Sequence, residues 1–292
     1  MTATRNLRGI IVMVCAAALF TLMDSGMKLL SAHYSPMQVT ALRSLSSLPL
    51  VYVYVAWRSS FRAMLQVRWP LHLLRGVIAV IMLLTFVIGL QHLPLTETYS
   101  IFFVAPLFIT ALSGPVLGEY VSRARWVAIF TGLIGVLVVL RPTGAGMMTW
   151  AGLAVVGSAV CYTISAIAVR VLGRTDSMES LMFWLISMLA AGSTLLAWPN
   201  WQALRPEDTW LIVGVGITGF CGQWGITYAF RHGEVSAIAP FEYTTLIWTL
   251  GLDRLIWNNT PDRWTLVGAA IIIGSGLFLA RSEKVHAEAE HP

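Results

Sequence analysis

The sequence predicts an all-α integral membrane protein: ten transmembrane helices in two inverted five-helix repeats, with both termini cytoplasmic. Three observations carry this expectation. The 292 residues are 57% hydrophobic and only 11% charged, where a soluble domain carries about 25% charge; the mean hydropathy is +0.73. Apolar runs long enough to cross a bilayer recur ten times. Lys and Arg gather in alternate connections between those runs.

In order, the expected spans cover residues 7–30, 36–57, 71–90, 96–117, 124–140, 149–170, 178–198, 209–230, 235–257 and 263–280. The first opens on Arg5 and Arg8, as a signal peptide would. Its apolar run is about twenty residues long and ends in charges without a small-residue cleavage pattern, so it reads as a retained helix. Alternating apolar strands are absent, which argues against a membrane barrel. With the amino terminus inside, one side of the membrane holds twelve Lys and Arg at or beyond the span ends. The other side holds only Arg141, Arg205 and Arg263. The positive-inside rule then places both termini in the cytoplasm. Nine of the twelve Trp fall near span ends, where an interfacial belt is expected; Trp184, Trp224 and Trp248 do not. Residues 282–292 form a polar tail expected to be disordered.

Other classes find little support. The pI near 9.4 comes from residues that set topology and does not point to nucleic acid. Cys15, Cys161 and Cys221 lie in apolar segments, with no disulfide framework and no metal-ligand spacing. No GxxxxGK[ST], HExxH or GxSxG motif is present, so no catalytic residue, cofactor or metal is expected.

Five spans followed by five divide the chain into residues 1–145 and 146–281. At an offset of 140 residues, Gln91-His92 lines up with Arg231-His232, and Arg141 with Arg281. An odd number of spans per repeat forces the second half to enter the membrane upside down. Inverted repeats are a recurring construction of secondary transporters, with substrate near the midplane between the halves. Pro106 falls near the centre of span four, and Pro240 interrupts span nine, its repeat partner. Each proline frees a backbone carbonyl and permits a kink, which makes both candidate hinges.

The stretch HLPLTETYSIFFVAPLFITALSGPVLGE, followed by Trp126, Gly132 and Gly135, resembles the close of an EamA repeat. GEVSAIAPFEYTTLIWTLGLDRLIWNNTPDRWTLVGAAIIIGSG, residues 233–276, resembles the close of a second. Over nearly its whole length the chain is similar to the EamA family of the drug/metabolite transporter superfamily. That resemblance implies a ten-helix exporter or uptake carrier with a central cavity, in a bacterial inner membrane. Its partners would be the lipid bilayer and a small-molecule substrate, with protons as a candidate coupling ion. The family usually ends the fourth helix of each repeat with Gly-Glu. Gly118-Glu119 keeps that pattern, but Asn258-Asn259 departs from it, so no role for a second glutamate carries over.

Charges inside the spans are the candidate functional residues. Asp24 on span one and Arg43 on span two both lie roughly 10 Å below the outer surface, by 1.5 Å per residue. Lys28 is one turn shallower than Asp24, and Glu97, Asp253 and Arg254 share the outer half. Buried charges pair or face water, so these six are expected to form a neutral ion-pair layer. Asp24 and Lys28 have the favourable acid-first i, i+4 order of a self-neutralising pair. The alternative is an outer gate in which Asp24 exchanges between Lys28 and Arg43.

Glu242 lies roughly 12 Å from the cytoplasmic side, with no basic residue at its depth. A lone intramembrane carboxylate beside a proline is a functional candidate, to bind a substrate ammonium or carry a coupling proton. Gln223, Trp224, Tyr243 and Trp248 are grouped with it, their aromatic faces offering cation–π attraction. Tyr99, Tyr162 and Ser165 are further cavity candidates. Arg75, one turn into span three, reads as a snorkelling anchor or as a ligand for a substrate carboxylate. These features suit an amino-acid exporter, similar to the aromatic amino acid exporters of the superfamily. An S-adenosylmethionine or organic-cation carrier remains open. Nucleotide-sugar transport would need more basic cavity residues, and an intramembrane enzyme lacks its motifs.

Overall fold

The computed structural model describes residues 2–58, 67–117, 123–140, 149–173, 175–232 and 239–289. Those residues are all helix and connection, with no strand among them. Eleven α-helices follow in order among them: α1 (Thr2–Leu30), α2 (Pro36–Arg58), α3 (Trp69–His92), α4 (Leu95–Phe102), α5 (Ala105–Leu117) and α6 (Arg123–Leu140). Then come α7 (Trp150–Leu172), α8 (Met178–Ala197), α9 (Thr209–His232), α10 (Thr245–Trp257) and α11 (Arg263–Ala289). Among the described residues, six helices are long and apolar enough to cross a membrane: Arg8–Leu30, Pro36–Arg58, Trp69–His92, Trp150–Val169, Met178–Asn200 and Pro206–Ala229. Expected spans four and nine are interrupted. α11 runs on to Ala289, where a disordered tail was expected; no Gly or Pro stops the helix there, and Glu, Lys and Ala sustain it.

Helix ends follow local chemistry. Thr149 and Ser177 cap α7 and α8, each side chain accepting an amide N–H three residues on. Asn258 closes α10 in the left-handed conformation, φ 53°. Glycine usually fills that position and Asn is the side chain that tolerates it, which accounts for Asn258 where the family pattern has Gly.

Several main helix pairs recur when the two halves are exchanged. α1 packs on α9, and α3 packs on α7; α2 packs on α9, and α3 on α8; α2 pairs with α8, α6 with α11 and α4 with α10. Gly76 and Gly216, 140 residues apart, are counterparts. A Cβ at Gly76 would meet Met188 Sδ at 2.7 Å, and one at Gly216 would meet the Ser46 carbonyl carbon at 2.7 Å. Both positions therefore let a third helix press against the second helix of the opposite half.

Polar contacts fix the direction of the helices. At one end, Tyr34 Oη donates to Asp208 Oδ2 at 2.8 Å and accepts from the Arg205 amide. Gln38 and Gln202 exchange two hydrogen bonds there, at 2.7 and 3.0 Å. At the other end, His72 Nε2 lies 2.8 Å from Asp176 Oδ2. The connection after α1 is thus at the Tyr34 end and that after α7 at the His72 end. α1 and its counterpart α7 run in opposite senses, as inverted halves must. The main core lies between, around Met27, Leu83, Phe86, Val87 and Leu90.

Candidate functional site

The candidate site is built around two interruptions, in the expected spans four and nine. Span four stops at Phe102, turns through Phe103–Val104 and resumes as α5 at Ala105. Pro106 has no N–H, so the Phe102 carbonyl loses its normal helical partner. In span nine, residues Ala239–Thr244 form a tight 3-10 segment containing Pro240 and Glu242 before α10 begins. The Pro106, Pro240 and Tyr243 side chains lie outside the described residues. α7 braces the first break, with Thr163 Oγ1 donating to the Ala105 carbonyl at 3.3 Å.

Aromatic rings gather at the first break. Phe86 meets Tyr99 at 5.8 Å and Phe102 at 5.3 Å between centroids, and Phe102 meets Tyr162 at 5.3 Å. The Glu242 carboxylate acts electrostatically on Tyr162, so these two sequence candidates are brought together. Glu242 is half-buried, and among the described residues no basic side chain pairs with it. Ser165 is buried one turn from Tyr162 on α7. Phe241 packs against the cluster of Met13 and Ala229, seating the 3-10 segment on α1 and α9.

Other candidates are placed differently. Trp224 stacks on Tyr228 at 5.2 Å, and Gln223 Nε2 donates to Thr227 Oγ1 at 3.4 Å, both within α9. Trp248 is 42% exposed and does not line the interior; α10 turns Thr245, Leu246, Thr249 and Asp253 inward instead. Arg254, next to Asp253, is likewise exposed and leaves the expected charge layer. Both reversals have one cause: neighbours on a helix point about 100° apart. Trp184 packs edge-on against Trp69 at 4.5 Å. Arg75 does not snorkel. It is 5% exposed and donates from Nη1 to the Leu181 carbonyl at 2.9 Å.

The charges expected in the outer half divide into two groups, and Asp24 does not pair with Lys28. Tyr99 Oη donates to Asp24 Oδ2. Arg43 acts on Asp24 electrostatically while its Nε donates to Met23 Sδ at 3.1 Å. Lys28 donates to the Leu93 carbonyl, stands 5.2 Å over the Trp257 ring and is in the field of Asp253 and Glu97. Asp253, 1% exposed, accepts from the Leu95 amide at 3.1 Å, the Thr96 amide at 2.7 Å and the Thr96 hydroxyl at 2.8 Å. It caps α4 from the opposite half of the chain.

Sequence reasoning missed Thr96, the Tyr34–Asp208 tie and the His72–Asp176 pair. Asp176 lies in the connection between α7 and α8. Burial alone would push its carboxyl up, but hydrogen bonds from His72 and Thr175 hold it below its ordinary 3.8. Among the described residues, no group of three or more His, Cys, Asp or Glu gathers as a metal site.

The model of the EamA-like transporter family matches residues 7–141 and again 149–281. A riboflavin transporter of Vibrio cholerae is 32% identical over 228 residues, covering 77% of this chain and 75% of that protein. A pseudopaline exporter of Pseudomonas aeruginosa is 24% identical over 279 residues, 94% of this chain and 97% of the exporter. An S-adenosylmethionine uptake transporter of Rickettsia prowazekii is 28% identical over 220 residues, covering 75% and 74%. One solved crystal structure shares the fold with a TM-score of 0.68 at 19% identity, over 97% of this chain and 99% of that one.

Proposed function

Since the chain belongs to the EamA-like transporter family, within the drug/metabolite transporter superfamily, we propose that it carries small polar metabolites across the bacterial inner membrane by alternating access. In this reading ten spans cross the membrane and both termini are cytoplasmic, as the distribution of Lys and Arg favours. The substrate is a solute with a cationic group and an apolar or aromatic body, and amino-acid export is the first assignment. The observation that carries it is Glu242, half-buried beside Pro240 within electrostatic reach of Tyr162, with no basic partner among the described residues. An ammonium would pair with the carboxylate while Tyr162 and Phe102 face the rest of the molecule. Breaks beside Pro106 and Pro240 act as hinges. The ties at the Tyr34 end and the Asp253 cap close the outer side.

A second reading, an S-adenosylmethionine or organic-cation carrier, uses the same carboxylate. It is favoured by the similarity to S-adenosylmethionine uptake transporters. Liposomes containing purified protein, given labelled amino acids, S-adenosylmethionine and a nucleotide sugar with and without a pH gradient, separate the two. Amino-acid entry abolished in Glu242→Gln supports the first reading, and S-adenosylmethionine entry alone supports the second. Unchanged transport in Glu242→Gln removes the role assigned to that residue.

A further inference from the structure

Asp24 is the sole acidic residue of α1 and is 3% exposed. Its two oxygens are in different situations. Oδ2 accepts from Tyr99, whereas Oδ1 is buried with no hydrogen-bond donor. Arg43 is close enough to act on it, yet its Nε–H goes to the Met23 thioether. The carboxylate therefore lacks the closed, bidentate ion pair that would lock it in the ionised form. Tyr99 lies in the last turn of α4, four residues before the break at Phe103–Val104. The hydrogen bond at Oδ2 thus ties α1 to the discontinuous span.

The surrounding elements offer Asp24 little else. α9 presents Leu211 and Val215 to this stretch of α1, next to Gly26. Asp253 on α10 is engaged with the α4 amides and with Lys28. His72 and Arg75 of α3 are at the far end of the bundle. Glu242, on the 3-10 segment, acts on Tyr162. Arg43 from α2 and Tyr99 from α4 are the groups that act on Asp24.

We infer that Asp24 is a proton-binding site that controls the tie between α1 and the half-helix α4, coupling a proton to the movement of span four. This rests on the carrier reading but uses a residue separate from Glu242. A proton from water binds Oδ1 and the carboxyl loses its charge. Tyr99 then loses a charge-assisted acceptor, and α4 is left held at its other end by Asp253. Return of the proton to water restores the tie.

Hydrogen–deuterium exchange of the full-length, substrate-free protein in lipid nanodiscs reads this tie directly. Exchange is followed over Leu95–Phe102 from acid to alkaline pH and corrected for intrinsic rates. In the wild type it should speed up about tenfold on acidification, as expected for loss of a charge-assisted bond. Asp24→Asn and Tyr99→Phe should both exchange at the fast rate at every pH. An infrared band of a protonated carboxyl should titrate in the wild type and in Glu242→Gln, and be missing from Asp24→Asn. A wild-type rate that ignores pH, or a wild-type pH response retained in Asp24→Asn, overturns the inference. Should Asp24→Asn fail to fold, Tyr99→Phe decides on the same criterion. No substrate is present, so the result stands apart from the fate of the Glu242 assignment.

Discussion

Asp253 Oδ2 accepts both the amide and the hydroxyl of Thr96, at 2.7 and 2.8 Å, and so holds the first turn of a helix in the opposite half of the chain. Capping interactions are worth about 1 kcal/mol, and charge-assisted ones about 1.5–3 kcal/mol when buried. Asp253→Ala should lower stability by roughly 2–3 kcal/mol on those grounds. Thr96→Val, which keeps the amide bond, should lose about 1 kcal/mol. Thermal unfolding in detergent measures both. Equal losses would show that the hydroxyl, and not the cap, carries the contact.

Exchanging Asp24 and Lys28 tests how these buried charges are partnered. An intrahelical pair would tolerate the exchange. In this structure the exchange sets an ammonium beside Arg43 and a carboxylate near Asp253 and Glu97. Leaving buried charges without their partners costs about 3–5 kcal/mol. The double variant should therefore yield little folded protein, measured as the monodisperse fraction after extraction. A normal yield would restore the intrahelical pair.

Gly216→Ala should be destabilising out of proportion to one methyl group. Its Cβ would meet the backbone of Ser46 at 2.7 Å, and Ser47 Oγ already donates to the Gly216 carbonyl at 3.0 Å. A backbone neighbour has no rotamer to change, so α2 and α9 must separate, at about 1–3 kcal/mol. Gly214→Ala on the same helix, where a Cβ meets nothing within 4 Å, should be near neutral. The difference in melting temperature between the two variants is the measurement.

Asp176 gives a pH dependence of known sign. Its carboxyl is held below the ordinary 3.8 in the folded protein. Its bonds therefore stabilise the fold at pH above that value, and the contribution is lost as pH falls through the depressed folded value. The melting temperature of wild type should exceed that of Asp176→Asn at neutral pH, with the gap closing in acid. A gap that widens on acidification would reverse the assignment.

Element positions were legible because lipid imposes length. The runs at 36–57 and 178–198 became Pro36–Arg58 and Met178–Ala197. The interruption at residues 103–104 sits just before Pro106 and that at 239–244 contains Pro240, the two prolines singled out in the sequence. The inward face of each helix was not legible. Trp248 and Arg254 point outward because the polar stripe of α10 runs through Thr245, Thr249 and Asp253. Spacing also misled at Lys28. An i, i+4 relation exists on every helix, but the rotation of α1 against α3 and α10 directs the amine to Leu93 and Trp257. His72 and Asp176, 104 residues apart, leave no local signal.

The exchanged packing of the halves also bears on biosynthesis. α1 finds its main neighbour in α9, and α3 finds one in α7. When α1 leaves the ribosome, about 180 residues remain before α9 begins, a delay of roughly ten to forty seconds at 5–20 residues per second. During that interval the glycine-rich face of α9 does not yet exist, and α1 carries Asp24 and Lys28 into the membrane without the α10 acid that acts on Lys28. The first half is thus an unfinished surface that the insertion machinery or lipid must shield. A nascent chain truncated before Thr209 should be degraded rather than accumulate as a stable half-protein.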